Sequence, residues 1–175
     1  RGVKVHVTVN TLVFDRELKM AKEIIELIAL SGADAVILQD LGLAYLFKQC
    51  APDIERHAST QMSVGTLSGV KLLSDLGYKR AVLPRELSKD EIKEIKDSAE
   101  AEIEIFVHGA LCMCVSGQCY MSSMFGGRSG NRGLCAQPCR LPDKSGKYPL
   151  SLKDLSLARQ VTELCDMGVS SFKIE

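Results

Sequence analysis

The chain has 175 residues, with 22 lysines and arginines balanced against 22 aspartates and glutamates. That length allows one sizeable core. Zero net charge gives composition no electrostatic case for a nucleic-acid or membrane partner. No apolar run approaches the roughly 18 residues of a membrane span, and the opening RGVKVHVTVN alternates like a strand rather than a signal peptide. A cytoplasmic protein with reduced thiols is therefore expected.

Residues 3–9, VKVHVTV, alternate and are rich in valine, which predicts a strand. Leu18, Ala21, Ile25 and Ile28 follow at helical spacing and stop at Gly32. A short buried strand is predicted over 34–39, a short helix over 41–50 and a weaker strand over 55–60. Leu67, Val70, Leu73 and Leu76 make a helix ending at Gly77. Residues 80–84 read as a strand. Ser88 and Glu91 form a capping box that opens the next helix. EIEIFVHG, 102–109, is the strongest strand pattern. After a cysteine-rich stretch, Leu157, Val161 and Leu164 predict a last helix and residues 170–175 a last strand.

Strands alternating with helices imply an α/β fold with a parallel sheet. No G-x-G-x-x-G follows a strand, which weakens a dinucleotide-binding reading. The expectation is a (β/α) TIM-type barrel, incomplete in this chain, forming one domain over 1–175. Polar residues cluster at the C-terminal ends of the strands, the face where barrels carry their sites. They give a candidate catalytic set of His57, Gln61, Arg85, Glu86 and His108, and substrate-binding candidates Asn10, Gln39, Lys173 and Glu175. Strands leaving a core also end in polar residues for no functional reason. His6 lies mid-strand and reads as structural.

The stretch 111–142 holds five of the seven cysteines, no acid, and three arginines, Arg128, Arg132 and Arg140. Cys112, Cys119, Cys135 and Cys139 are spaced C-x6-C-x15-C-x3-C. Four thiolates suit an iron–sulfur cluster, such as four irons with four sulfides, or zinc in its place. Cys50 and Cys165 read instead as buried free thiols on apolar helix faces. With no acid between 105 and 142 to pair with, Arg128 and Arg132 are expected either to offset a cluster's charge or to bind an anionic substrate. The whole segment is expected to be a glycine-rich excursion over the C-terminal face. There is no G-x-S-x-G and no H-E-x-x-H.

FVHGALCMCVSGQCYMSSMFGGRSGNRGLCAQPCR, 106–140, closely resembles the signature of the collagenase-like peptidase family, peptidase family U32. VTVNTLV, HASTQMS, PRELS, SLKDLS and FKIE resemble its other blocks in the same order, whereas RLPDKSGKYPLS matches less well. The family name implies a peptidase of unassigned catalytic type acting on a peptide substrate. Other members hydroxylate RNA bases or a quinone precursor, with an iron–sulfur cluster and a hydroxyl source other than oxygen. By that resemblance Cys112, Cys119 and Cys135 are ligands. Cys139 also matches, with the fourth ligand open to variation, and Cys114 is not a ligand. The leading expectation is an iron–sulfur hydroxylase of RNA or a small anionic or aromatic substrate. A peptidase and a zinc-stapled binding barrel stand as alternatives. Strand edges at 3–9 and 170–175 leave room for self-association.

Overall fold

A computed structural model describes residues 2–175. Strands β1 (His6–Val9), β2 (Ala35–Leu38), β3 (Glu55–Ala58), β4 (Arg80–Val82) and β5 (Glu102–Gly109) lie side by side in chain order, all parallel. Strand β7 (Ser171–Ile174) runs parallel to β5. Helices α1 (Leu18–Ser31), α2 (Leu41–Cys50), α3 (Leu67–Asp75), α4 (Lys89–Ser98) and α6 (Val161–Asp166) connect the strands. Each strand followed by a returning helix is the βα unit of a barrel. The sheet is the curved, incomplete arc of a TIM-type barrel.

The period of two along each strand decides what faces where. Val36, Leu38, Ala58, Ala81, Leu83, Ile103, Ile105 and Val107 point outward and pack with Ile25, Leu43, Phe47, Val70, Leu73 and Ile95 of the helices. This layer is the core. The opposite face is polar at its base. Arg80 bonds Glu102 at 2.7 Å and Glu104 at 3.1 Å, Lys173 approaches Glu104 at 3.9 Å, and His57 packs edge-on to His6 with centroids 4.9 Å apart. Helices α4 and α6 each contribute one residue to the buried set, Ile95 and Leu164.

Local signals set the element ends. Gly32 closes α1 in the left-handed region at φ 74°. Asp40 caps α2 by accepting from the Leu43 amide, Thr66 caps α3, and Ser88 with Glu91 forms the expected capping box of α4. The expected strands are all present, but only β5 has its full expected length; β1 loses three residues and β3 and β4 two each. One strand was not expected: β6 (Leu155–Ser156) runs antiparallel to β5, opposite Gly109 and His108. Two residues leave no periodic pattern to read. A second correction concerns Cys50 and Cys165, which are exposed. Helix α2 buries Leu43, Ala44 and Phe47, and α6 buries Leu164, so both thiols fall off the buried stripe. Among the described residues no helix is long and apolar enough to cross a membrane.

Candidate active site beneath a cysteine-rich loop

Between β5 and β6 the chain leaves the sheet and forms the cysteine-rich loop. It contains one short α-helix, α5 (Met121–Gly126), two single-turn 3-10 helices at Gly130–Arg132 and Pro138–Arg140, and no strand. The only buried residues between 110 and 154 are two serines, Ser116 and Ser122. The loop is therefore held by polar pins rather than by apolar packing. Glu86, just past β4, accepts from the Ser116 amide at 2.8 Å and from its hydroxyl at 3.0 Å. Ser63 donates to the Ser116 carbonyl at 2.7 Å. Gly117, at φ +79°, lies so close to the Gln61 carbonyl that an added Cβ would stand 2.5 Å from it. Only glycine supplies both that dihedral and that approach.

Arg140 is a further pin. Its guanidinium donates to the Leu111 carbonyl at 2.7 Å, the Ser151 hydroxyl at 2.6 Å and the Leu152 carbonyl at 3.1 Å. It thus ties the residue before Cys112 to the residue after Cys139. Arg132 corrects the expectation of an unpaired arginine: it donates to Glu17 at 2.6 Å and to the Leu12 carbonyl at 2.7 Å. This holds the Glu17 carboxyl below its usual range, the hydrogen bond from Arg132 being the main cause. The partner acid lies 115 positions away, which no local count of charges reveals. Arg128 is exposed, and its side chain makes no hydrogen bond or ion pair among the described residues.

Beneath the loop, at the C-terminal ends of the strands, is a cavity of about 360 Å³. Asn10, Gln61, Arg85, Lys173 and Glu175 line it, together with Cys112, Cys135 and Cys139. Gln39 stands beside it and donates to the Gln61 carbonyl at 3.2 Å. Three expected residues stand apart. His57 is wholly buried at mid-strand depth, 3.3 Å from Glu55, and burial depresses its pKa. His108 is exposed, in the pairing with Ser156. Glu86 pins the loop. Sequence reading missed Phe106, which lines the cavity beside the strand-end Thr60 and the loop's Arg140. Phe106 was within reach, since it shares the parity of Glu102 and Glu104 on β5.

The Arg85 guanidinium lies over the Phe106 ring, 3.8 Å from its centroid, and is ion-paired with Glu175. Its surroundings lower its pKa, chiefly by desolvation, while the facing Cys112 thiol works in the opposite sense. Burial pushes the Cys112 thiol up, Arg85 pulls it down, and the thiols of Cys139, Cys119 and Cys135 each push it up again. The Cys112 sulfur thus feels the other three thiols, and Cys112, Cys135 and Cys139 line the cavity together. The sulfur of Cys135 also accepts from the Gln137 amide at 3.4 Å and from the Ser122 hydroxyl at 3.8 Å. Cys114 instead donates to the Gln118 carbonyl at 3.3 Å.

The donor set fits an iron–sulfur cluster: four soft thiols, one backbone amide and one serine hydroxyl donating to the Cys135 sulfur, and the Arg85 guanidinium alongside. Among the described residues no three His, Cys, Asp or Glu side chains are gathered closely enough to hold one metal ion. A single zinc, with Zn–S bonds of about 2.3 Å, would draw four sulfurs within about 4 Å of each other. A four-iron cluster spreads its thiolates more widely.

Comparison with known proteins agrees with this geometry. The chain is 46% identical over 184 residues to the 23S rRNA 5-hydroxycytidine C2501 synthase of Escherichia coli, matching 99% of this chain and 28% of that protein. It is 37% identical over 193 residues to tRNA hydroxylation protein P of Helicobacter pylori, matching 98% of this chain and 46% of that protein. The chain thus spans less than half the length of these relatives. Its fold matches the structure of the U32 peptidase Mk0906 with a TM-score of 0.65 at 13% identity, over 99% of this chain and 70% of that one. The family model described as Peptidase family U32 matches residues 1–175, and the chain belongs to that family.

Proposed function

We propose that this chain is the thiol-bearing part of an RNA-base hydroxylase. The observation that carries the reading is that Cys112, Cys135 and Cys139 line one cavity at the strand ends, with Cys119 on the same loop. Two relatives matching nearly all of this chain carry names of RNA hydroxylation, which supports RNA as the substrate. The size of the cavity supports it too. At about 360 Å³ it lies near the small end of the range for small-molecule sites, about 300–1,000 Å³. It suits one nucleotide drawn out of its stack better than an extended peptide.

In this reading Cys112, Cys119, Cys135 and Cys139 hold an iron–sulfur cluster, which supplies electron transfer and Lewis acidity when bound. The chain's own residues do the rest. Arg85, fixed between Phe106 and Glu175, keeps positive charge beside the Cys112 sulfur. Arg140 and Glu86 hold the loop so that it covers the cavity and keeps water from it. Residues 1–175 form a single arc of the barrel, with the loop 111–142 as its metal-binding part. The cytoplasm, where RNA meets a reducing pool, is the compartment this reading requires.

The test is nucleoside mass spectrometry of rRNA and tRNA from cells carrying the full protein, a deletion, or the Cys112→Ser variant. One pyrimidine should lose the mass of a single oxygen in the deletion and in the variant. Unchanged RNA in both would end the hydroxylase reading. Release of peptides from gelatin by the purified protein would favour a peptidase. Stoichiometric zinc without iron after anaerobic purification would favour a zinc-stapled barrel.

A further inference from the structure

The wall of the cavity formed by β2 and β3 has a chemical peculiarity. The side-chain oxygens of Gln39, Thr60 and Gln61 are buried and have no hydrogen-bond donor among the described residues. The neighbouring groups are occupied. Gln39 spends its amide N–H on the Gln61 carbonyl, and the Ser59 hydroxyl accepts from the Gln61 amide at 3.2 Å and from Asn10 at 3.5 Å. What remains are two amide oxygens, which only accept, and the Thr60 hydroxyl, which can also donate; Thr60 and Gln61 belong to the cavity wall, and their buried oxygens meet a ligand when the side chains turn toward it. A buried acceptor without a donor costs about 1–3 kcal/mol. Folding alone gives no reason to place such atoms together at a strand-end mouth.

The wall across from them is of the opposite kind. Lys173 lines it beside Arg85, and Arg85 lies on Phe106. Arg85 lines the cavity, and a guanidinium already backed by an aromatic ring can stack a planar heterocycle on its free face. The two walls together ask for a flat ligand with N–H donors on one edge and acceptors or negative charge on the other. Extended peptides also carry N–H groups, but they present no flat π-face to Arg85.

We infer that Thr60 and Gln61, with Gln39 behind them, read the N–H edge of an extruded pyrimidine stacked on Arg85. The edge is the exocyclic amine of cytosine or the imide N–H of uracil; both offer a donor to the same oxygens. The inference rests on the RNA-hydroxylase reading and adds to it which residues choose the base. Thr60 and Gln61 bind the base, and the thiols lie on the loop side of the same cavity.

The experiment measures binding of single-stranded RNA decamers to the iron-loaded full protein by fluorescence anisotropy under nitrogen. The decamers differ at one central nucleotide: cytidine, N4,N4-dimethylcytidine, uridine or N3-methyluridine. One of the two blocked bases should bind about tenfold more weakly than its parent, the effect of losing one well-placed base contact. Gln61→Met and Thr60→Val should each weaken the parent decamer similarly and remove the discrimination, with iron content and visible absorption unchanged. Equal binding of blocked and unblocked decamers, or no binding of any, would overturn the inference, as would discrimination that survives both substitutions. Base discrimination without any hydroxylated nucleoside in cells would instead leave this inference standing and remove the hydroxylase reading.

Discussion

The parallel sheet and the cysteine-rich loop are stabilised by different physics. The sheet buries Val36, Leu38, Leu83 and Ile103 against Ile25, Phe47 and Val70, all nearly inaccessible to solvent. The loop leaves Met124 and Phe125 more than 80% exposed and buries only Ser116 and Ser122 in its whole length. Apolar burial is non-directional and tolerates small errors, so the sheet forms as a scaffold. Hydrogen bonds and thiol ligation are directional, so the loop can hold reactive groups at set positions, but only while its pins are in place. The cavity lies where the two regimes meet: strand ends supply Asn10, Gln61, Arg85 and Lys173 to its wall, and the loop supplies Cys112, Cys135 and Cys139.

If the division is real, damage to one region should leave the other recognisable. The largest effect belongs to the sheet. Phe47→Ala removes a fully buried ring from the layer between α2 and the strands and should cost about 3–5 kcal/mol. Urea denaturation followed by far-ultraviolet circular dichroism measures it, and iron binding should fail only because the scaffold has failed.

Cys112→Ser, Cys119→Ser and Cys135→Ser should invert that pattern. Each should lose most of its iron, with far-ultraviolet dichroism and urea midpoint close to the parent. Cys50→Ser and Cys165→Ser, on exposed helix positions, should keep full iron content. Iron analysis after anaerobic purification decides it, and equal iron in all five variants would remove the site.

A smaller effect separates the pins from the ligands. Glu86→Gln weakens the charge-assisted bonds to Ser116, which are worth about 1.5–3 kcal/mol. Gly117→Ala forces a Cβ to within 2.5 Å of the Gln61 carbonyl at a positive φ. Both should speed amide exchange and proteolysis over 111–142 while leaving β1–β5 protected. Exchange that rises equally in the sheet would mean that loop and sheet open as one unit.

These regimes also explain what the sequence made legible. Period-two and helical patterns report apolar burial, so β1, β2, β5, α1 and the capping box of α4 could be read directly. The cysteines drew attention because four thiols in an acid-free stretch are a chemical signal, and three of them, Cys112, Cys135 and Cys139, line the cavity. The pins were not, because directional contacts join residues far apart in sequence. Arg132 finds Glu17, Glu86 finds Ser116, and Arg140 finds Leu111. His57 shows the same limit. Its place near a strand end suggested a catalytic role, yet it lies beneath the cavity among the charges of the sheet's inner face, where only the fold puts it.

The smallest expected effect tests that inner face. His57 has no exposed surface and packs edge-on to His6. Glu55 and Arg80 are the charged groups that act on it; burial lowers its pKa below the ordinary 6.5, and the bond to Glu55 only partly opposes that shift. Above pH 6.5 the ring is neutral in both the folded and unfolded chain and contributes no pH dependence. As pH falls below 6.5 the unfolded chain takes up a proton that the folded chain resists, so stability declines. The decline ends once pH passes the folded pKa. Between pH 6.5 and 5, above the range where most carboxylates titrate, denaturation midpoints should therefore fall with pH in the parent. His57→Gln should flatten that slope whatever its midpoint at pH 7. An unchanged slope in the variant would show that the ring charges freely inside the sheet, and that the polar inner face is wetter than its packing implies.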